Sequence, residues 1–466
     1  MKLEIIPRPT KVSFQKGRLT LGAAPALKLQ MGKAHRDLGE EGYRLSVREK
    51  GILIQAFTQA GLRYGLNTLG QLQRGKTWLP VLTLEDRPKF AWRGVLIDSC
   101  RHFQSVSFLK RVIEELAFFK FNRMHWHLTE DNAWRIEIKK YPRLTQKFAP
   151  GGHYTQAQVR ELVAFAEARG VTIVPEIEMP GHATAALAAY PGLSCAGKPI
   201  PLPSLFGLKR HVFCAGRDEV FRFQKNVLKE VAGLFPSKEL HIGCDEVKKD
   251  NWKACPRCQA RMKKLGLKDE KALQTYFAAR CLKILKGLGK TAVAWDEINE
   301  GGAPKGVIVQ CWHIGEKPNL VAQAARAGLK AIASPTEFCY LDYSNWSLDL
   351  KKASQFEPIP RGLNAAQKKL VLGGECALWT EFIPRNQTFK RLFPRALATA
   401  EVLWSGKPVF REFEQRVKVQ VKIMARRGVE SGPAGTSRKD KAIPWEPAYY
   451  KKGFPKSLKH PKPRGW

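Results

Sequence analysis

The chain has 466 residues, 44% hydrophobic and 10% aromatic, a composition that folds rather than stays disordered. Its 79 basic against 42 acidic residues give a formal net charge of +37, and no apolar run is long enough to cross a bilayer. At that length one large domain with a smaller one attached is expected. The charge would suit anionic polymers, membrane surfaces or nucleic acid. However, the basic residues are spread along the chain on predicted helix faces, as at Lys248-Lys249 and Lys263-Lys264. No nucleic-acid module accompanies them, so the expectation is a basic solvated surface without a specific nucleic-acid partner.

Residues 1–9 are interrupted early by Pro7 and Pro9 and hold no secretory h-region, which predicts a cytoplasmic chain without a Sec-type signal. Residues 1–88 read as a small α+β unit. Stretches 42–47 and 51–56 are strands joined by a short charged turn, and 59–69 has helical spacing. Asp86-Arg87-Pro88 marks the boundary. From Phe90 onward strands alternate with helices. The strand candidates are 94–98, 124–128, 172–177, 240–243, 291–295, 307–311, 330–333 and 370–373. Amphipathic stretches at 107–120, 155–169, 219–234 and 270–285 lie between them, and 389–403 follows the last. Ser107 and Thr155 are placed to cap the first two. Eight such repeats predict a (β/α)8 barrel over residues 89–425. A doubly wound open sheet would alternate too, but no Gly-rich phosphate loop follows the first strand. Residues 426–466, with Lys451, Lys452, Lys456, Lys459, Lys462 and Arg464 among prolines and glycines, read as a cationic extension.

Polar and aromatic residues recur just after the candidate strands: Asp98 and Arg101, His127 and Asp131, Glu178 and His182, Asp245 and Glu246. Later strands add Trp295 and Asp296, Trp312, Tyr340 and Asp342, and Trp379 and Glu381. Barrel enzymes build their sites from those ends. Exposed strand ends would explain the charges without a site, but three tryptophans in such places predict an aromatic-walled pocket. Asp245-Glu246 allows two readings. Adjacent acids can cap a helix, or like-charge repulsion can leave one of them protonated as a general acid. Aromatic walls with carboxylates suit a sugar, and an acid at such a site points to glycoside hydrolysis. Neighbouring acids do not easily straddle an anomeric carbon. They fit better if one serves the leaving group while the other holds a 2-acetamido group whose oxygen attacks internally.

His241-Ile242-Gly243-Cys244-Asp245-Glu246 is similar to the His-x-Gly-Gly-Asp-Glu signature of glycoside hydrolase family 20, the β-N-acetylhexosaminidases. Trp92 to Phe103, Met124 to Arg135 and Pro175 to His182 resemble that family's first three barrel strands, and the segments around Trp295, Tyr340 and Trp379 continue the series. Residues 1–88 resemble the domain that commonly precedes its barrel. The resemblance implies roles at matching positions. Glu246 would be general acid and then base, and Asp245 would orient the acetamido group. Tyr340 would hydrogen-bond that group's oxygen, and Trp295, Trp312 and Trp379 would enclose the sugar. Arg93, Asp342 and Glu381 would bind hydroxyls, with Asp131 and His182 tuning Glu246 from behind. It implies no cofactor and no metal, and a glycan or glycoconjugate ending in β-N-acetylhexosamine as substrate. The signature's second glycine is Cys244 here, a mild change. A catalytically silent glycan-binding barrel is the competing class; an intact acid pair argues against it. Preference for gluco or galacto sugar and oligomeric state stay open.

Of ten cysteines, only Cys255-Pro256-Arg257-Cys258 has ligand-like spacing. No second pair or histidines follow at a suitable distance for structural zinc, so a local disulfide or two free thiols is expected. Cys195 and Cys214 flank a Gly- and Pro-rich loop and could pair in an oxidising compartment. Cys100, Cys244, Cys311 and Cys376 read as small core residues.

Overall fold

The computed structural model describes residues 3–22, 25–203, 210–313 and 319–434. Its first sheet holds β1 (Lys11–Thr20), β2 (Ala26–Met31), β3 (Tyr43–Arg48), β4 (Gly51–Ala56) and β5 (Trp78–Asp86), in the order β1-β5-β3-β4-β2. The expected hairpin is β3 and β4, antiparallel, backed by helix α1 (Gln59–Gln73). Thr58 caps that helix by accepting from the Ala60 and Gly61 amides. Sequence patterning misses β1 and β2 because nearly all their residues are exposed, so no apolar alternation marks them.

The second sheet closes into a parallel barrel of β6 (Trp92–Asp98), β7 (Arg123–His127), β8 (Thr172–Met179), β9 (Glu239–Gly243), β10 (Thr291–Trp295), β11 (Ile308–Cys311), β12 (Lys330–Ala333) and β13 (Val371–Leu378). Burial on both faces explains why these strands read as short apolar runs without alternation. β13 runs on past Gly373, where the sequence suggests a stop. Gly373 (φ +147°) and Gly374 mark close backbone approach instead: a Cβ on either would collide with Trp92 O or Ala333 O. The helix expected from Ser107 begins at Val106 with Ser105 as its cap, accepting from the Phe108 amide. Thr155 caps as expected, in a reciprocal box with Gln158. The stretch 389–403 divides into Thr388–Leu392 and Arg395–Ser405 at Pro394, which has no N–H to continue a helix. Lys263 and Lys264 sit in a helical last turn, whereas Lys248 and Lys249 lie in a loop. No helix among the described residues is long and apolar enough to span a membrane. Most of the expected extension, 435–466, lies outside the described residues.

The small sheet docks onto the N-terminal end of the barrel through buried charges. Asp86 accepts from Lys120 Nζ (2.8 Å), the Tyr43 hydroxyl (2.7 Å), Trp404 Nε1 (2.9 Å) and the Thr10 amide (3.0 Å). Arg93 donates to Glu41 through both terminal nitrogens, to the Tyr64 hydroxyl (2.9 Å), and to the Phe90 and Lys120 carbonyls.

All ten cysteines are unbonded. Cys100, Cys244, Cys311 and Cys376 are buried, as core residues should be. Cys255 and Cys258 are free thiols, the second of the two states expected, and Cys195 does not pair with Cys214; the four instead meet as one cluster, with sulfurs 3.9 Å apart for Cys195–Cys258, 3.8 Å for Cys214–Cys255 and 3.6 Å for Cys214–Cys258.

Candidate active site

β9 ends in a left-handed turn. Gly243, Cys244 and Glu246 have φ of +65°, +73° and +48°. Position 243 needs glycine for space as well, since a Cβ there would lie 1.7 Å from Glu178 Oε2. The turn carries Asp245 and Glu246 above the C-terminal ends of the strands. Gln274 Nε2 donates to the Cys244 carbonyl (2.8 Å), and the Glu246 amide donates to Glu297 Oε1 (3.2 Å). Asp245 and Glu246 are therefore not acting as a helix cap: the next helical turn, Asp250–Lys253, starts later.

His182 lies against both acids, its Nε2 3.4 Å from Asp245 Oδ2 and 3.6 Å from Glu246 Oε2. Burial opposes charge on this ring, but Glu130 and Asp245 outweigh burial and hold its pKa well above the ordinary value. Its Nδ1 is 2.8 Å from Glu130 Oε1. Asp131, expected behind His182, is 3.9 Å away and accepts instead from the amide and hydroxyl of Thr184. Burial and the charge of Glu130 push the Asp131 carboxyl upward. Sequence reasoning thus chose the neighbour of the carboxylate that orients the imidazole.

Arg93 is a correction. It sits near the start of β6, buried in the contact with the small sheet, and does not reach the pocket. The pocket arginine is Arg101, just beyond Asp98 at the strand's end. It forms ion pairs with Asp98 (3.2 Å), Glu130 (2.9 Å) and Glu381 (3.2 Å), and its guanidinium lies 5.2 Å from the centre of a Trp379 ring. The rule that barrel sites occupy the C-terminal strand ends separates the two arginines from sequence alone.

The aromatic residues do converge. Trp295 and Trp379 have ring centres 6.0 Å apart, Trp312 and Tyr340 stack at 6.0 Å, and Tyr340 lies 6.4 Å from Trp379. Glu297, given no role from sequence, accepts from Trp312 Nε1 (3.1 Å) as well as from Glu246. Asp342 is half-buried, and desolvation together with Glu381 raises its pKa to about 8. Among the described residues, Asp342 Oδ1 and Asp245 Oδ1 are buried without a hydrogen-bond partner. Buried polar atoms normally have one, so these oxygens mark where a ligand's donors would go.

Residues 90–407 match the model for glycosyl hydrolase family 20, catalytic domain, and residues 25–87 match its domain 2. The chain belongs to glycosyl hydrolase family 20. It is 41% identical over 414 residues to a beta-hexosaminidase of Porphyromonas gingivalis, covering 82% of this chain and 53% of that one; it spans about half that relative's length. A solved beta-N-acetylhexosaminidase from Bacteroides fragilis is similar at TM-score 0.84 and 33% identity, over 93% of this chain and 97% of that one. A Vibrio harveyi exo beta-N-acetylglucosaminidase solved with N-acetylglucosamine gives TM-score 0.84 at 29% identity, over 93% and 78%.

Beneath the pocket this family 20 chain has a polar barrel interior that sequence reasoning did not find. Glu176 accepts from Trp295 Nε1 (2.8 Å) and pairs with His241 (2.9 Å), His125 (3.2 Å) and His127. Glu375 meets His125 (2.7 Å), Trp92 Nε1 (3.0 Å) and Gln310 (2.9 Å). Burial opposes charge on the histidines. Glu176, with Glu375 on His125, still raises His125 to about 10, and Glu176 with Glu130 raises His127 to about 9, while burial leaves His241 lowered. His125, Glu176 and His241 are near enough to ligate a metal, but Glu176 is already saturated by four partners. The cluster is a charge-balanced floor under Trp295. Glu178, next to it, is pushed well above the ordinary range by burial, Asp245 and Glu176, which favours its neutral form under the acid pair.

Proposed function

We propose that the chain is an exo-acting, retaining β-N-acetylhexosaminidase. Its substrates are terminal β-linked N-acetylglucosamine or N-acetylgalactosamine, cleaved with help from the sugar's own 2-acetamido group. One observation carries the reading: Asp245 and Glu246 share a single turn, Glu297 links the Glu246 amide to Trp312 of the cluster that also holds Trp295 and Trp379, and Asp245 Oδ1 is buried with no hydrogen-bond partner among the described residues. An acetamido N–H would satisfy that oxygen. The names of the relatives support the substrate class.

In the mechanism, Glu246 protonates the glycosidic oxygen as the acetamido carbonyl oxygen attacks the anomeric carbon, and the C–O bond to the leaving group breaks. Asp245 accepts the acetamido N–H and offsets positive charge on the resulting oxazolinium ion. Tyr340 donates to the acetamido oxygen and holds it in line. Glu246, now a carboxylate, takes a proton from water as that water attacks the same carbon and the bond from that carbon to the acetamido oxygen breaks, which restores the acetamide with configuration retained. The His182 imidazolium, oriented by Glu130, lies beside both acids and keeps their negative charges tolerable together. Asp342, Glu381 and Arg101 bind the hydroxyls, and the tryptophans cover the apolar faces of the ring and the N-acetyl methyl group.

The test compares 4-nitrophenyl β-N-acetylglucosaminide with the plain β-glucoside. Turnover of the first alone is expected, because the glucoside lacks the internal nucleophile. Equal rates would sink the acetamido mechanism. Calorimetric binding of N-acetylglucosamine with no hydrolysis of any β-hexosaminide would favour a silent binding barrel instead.

A further inference from the structure

Behind the acid pair, two loops bring four cysteines to one point. Cys195 follows the short turn Pro191–Leu193, and Cys214 lies on the returning strand of the same loop, where Ser194 bridges Phe213. Cys255 and Cys258 open the helix Pro256–Leu265 in the loop after β9. Cys195 and Cys258 are 63 positions apart in the chain, yet their sulfurs lie 3.9 Å apart. Cys214 Sγ is 3.8 Å from Cys255 Sγ and 3.6 Å from Cys258 Sγ, and all four sulfurs fall within 4.8 Å of one another. Cys214, Cys255 and Cys258 are buried and Cys195 is half-buried.

We propose that these four residues form a structural Zn2+ site. Tetrahedral zinc binds thiolates at about 2.3 Å, which sets sulfurs on the tetrahedron's edges about 3.8 Å apart. The observed separations are those of such edges. Two disulfides would draw the sulfurs into two bonded pairs of about 2 Å, and no pair here is set apart in that way. The ligand set is all sulfur, which favours zinc over magnesium or calcium. The donors also fit a Cys-x-x-Cys half-site. Pro256 starts the helix between Cys255 and Cys258, and Gly216 lets the other loop approach, since a Cβ there would meet the Arg257 carbonyl carbon at 2.3 Å. On binding, four thiols release four protons to solvent and become thiolates, with no redox step.

The site's place explains its use. Phe213, next to Cys214, donates its amide to the Pro180 carbonyl (2.9 Å) just before His182, and accepts from Trp252 Nε1 (2.9 Å) on the loop that follows Glu246. A zinc ion there clamps the loop carrying His182 to the loop carrying Asp245 and Glu246. It positions those residues without touching substrate.

The experiment is metal analysis of the full-length chain, incubated with Zn2+ and then desalted. About one zinc per chain is expected, released by a thiol-blocking mercurial and counted with a chromogenic chelator. Cys258→Ala should lose the zinc, whereas Cys258→His should retain it, because imidazole can replace a thiolate in the shell but cannot form a disulfide. Co2+ in place of Zn2+ should give a tetrahedral thiolate spectrum that changes in Cys258→His. Wild-type chain that binds no zinc, with its four sulfurs free or joined as two disulfides by mass spectrometry, would overturn the proposal, as would iron in their place. The wild-type measurement stands even if a variant fails to fold.

Discussion

The two ends of the barrel both bury charge, but they use it differently. At the N-terminal end the charges that dock the small sheet are matched: Arg93 spends all three of its nitrogens on five acceptors, and both Asp86 oxygens are occupied. At the C-terminal end Asp245 Oδ1 and Asp342 Oδ1 are left without a partner among the described residues. Saturated charge fixes one domain on another. An unsatisfied polar atom, held in place by the matched network beneath it, is what a substrate can complete. The misplaced arginine falls on the same divide: Arg93 and Arg101 are chemically alike, but one stands at the start of β6 and the other just beyond its end.

The sharpest way to break the contrast is at the acid pair. Glu246→Gln should lower turnover of substrates with poor leaving groups about 10²–10⁴-fold, with the thermal midpoint unchanged. An unaffected rate would reject its role as the acid. The same size of intervention at the other end should move stability instead. Lys120→Met strands the buried Asp86 carboxylate and should cost about 3–5 kcal/mol in denaturant unfolding, with the kcat of the folded fraction preserved. Arg93→Lys should cost about 1–3 kcal/mol by leaving acceptors unmatched, and KM should stay at its wild-type value. A raised KM would return Arg93 to the pocket.

The polar floor should respond to pH. His125 and His127 have folded pKa values raised to about 10 and about 9 from an ordinary 6.5. The folded state binds these protons more tightly, so the stabilisation is fully present below about pH 6.5 and disappears as pH rises through 9 to 10. The thermal midpoint should therefore fall between pH 7 and 10, and His127→Gln should flatten part of that slope. The smallest expected effect is at Cys244. Its left-handed φ of +73° costs a side chain about 1–2 kcal/mol, whereas losing a buried thiol costs a comparable amount. Cys244→Gly should change stability by no more than about 1 kcal/mol and leave kcat within a few-fold, while the β-branched Cys244→Val should destabilise clearly more.

The barrel was legible because each of its strands is a short apolar run ended by turn or polar residues, and β10 and β12 match expectation residue for residue. Exposed β1 and β2 were not, since their side chains face water and carry no period. In the site, the tryptophans, Tyr340, Asp342 and the acid pair were readable from their places after strands. Glu130, Glu297 and the His125–Glu176 floor were passed over, because each draws its meaning from a partner on another strand, whereas Arg101 stood in a readable place and was given no role.

Local order in the chain therefore determined the barrel and the position of chemistry at its strand ends, because both arise from periodicity and punctuation within a few residues. Tertiary structure alone decided which acid orients His182 and that Glu297 receives the Glu246 amide. It also decided that cysteines 63 positions apart share one point. Those are matters of distance across the fold, and a spacing rule that stops at the next few residues cannot measure them.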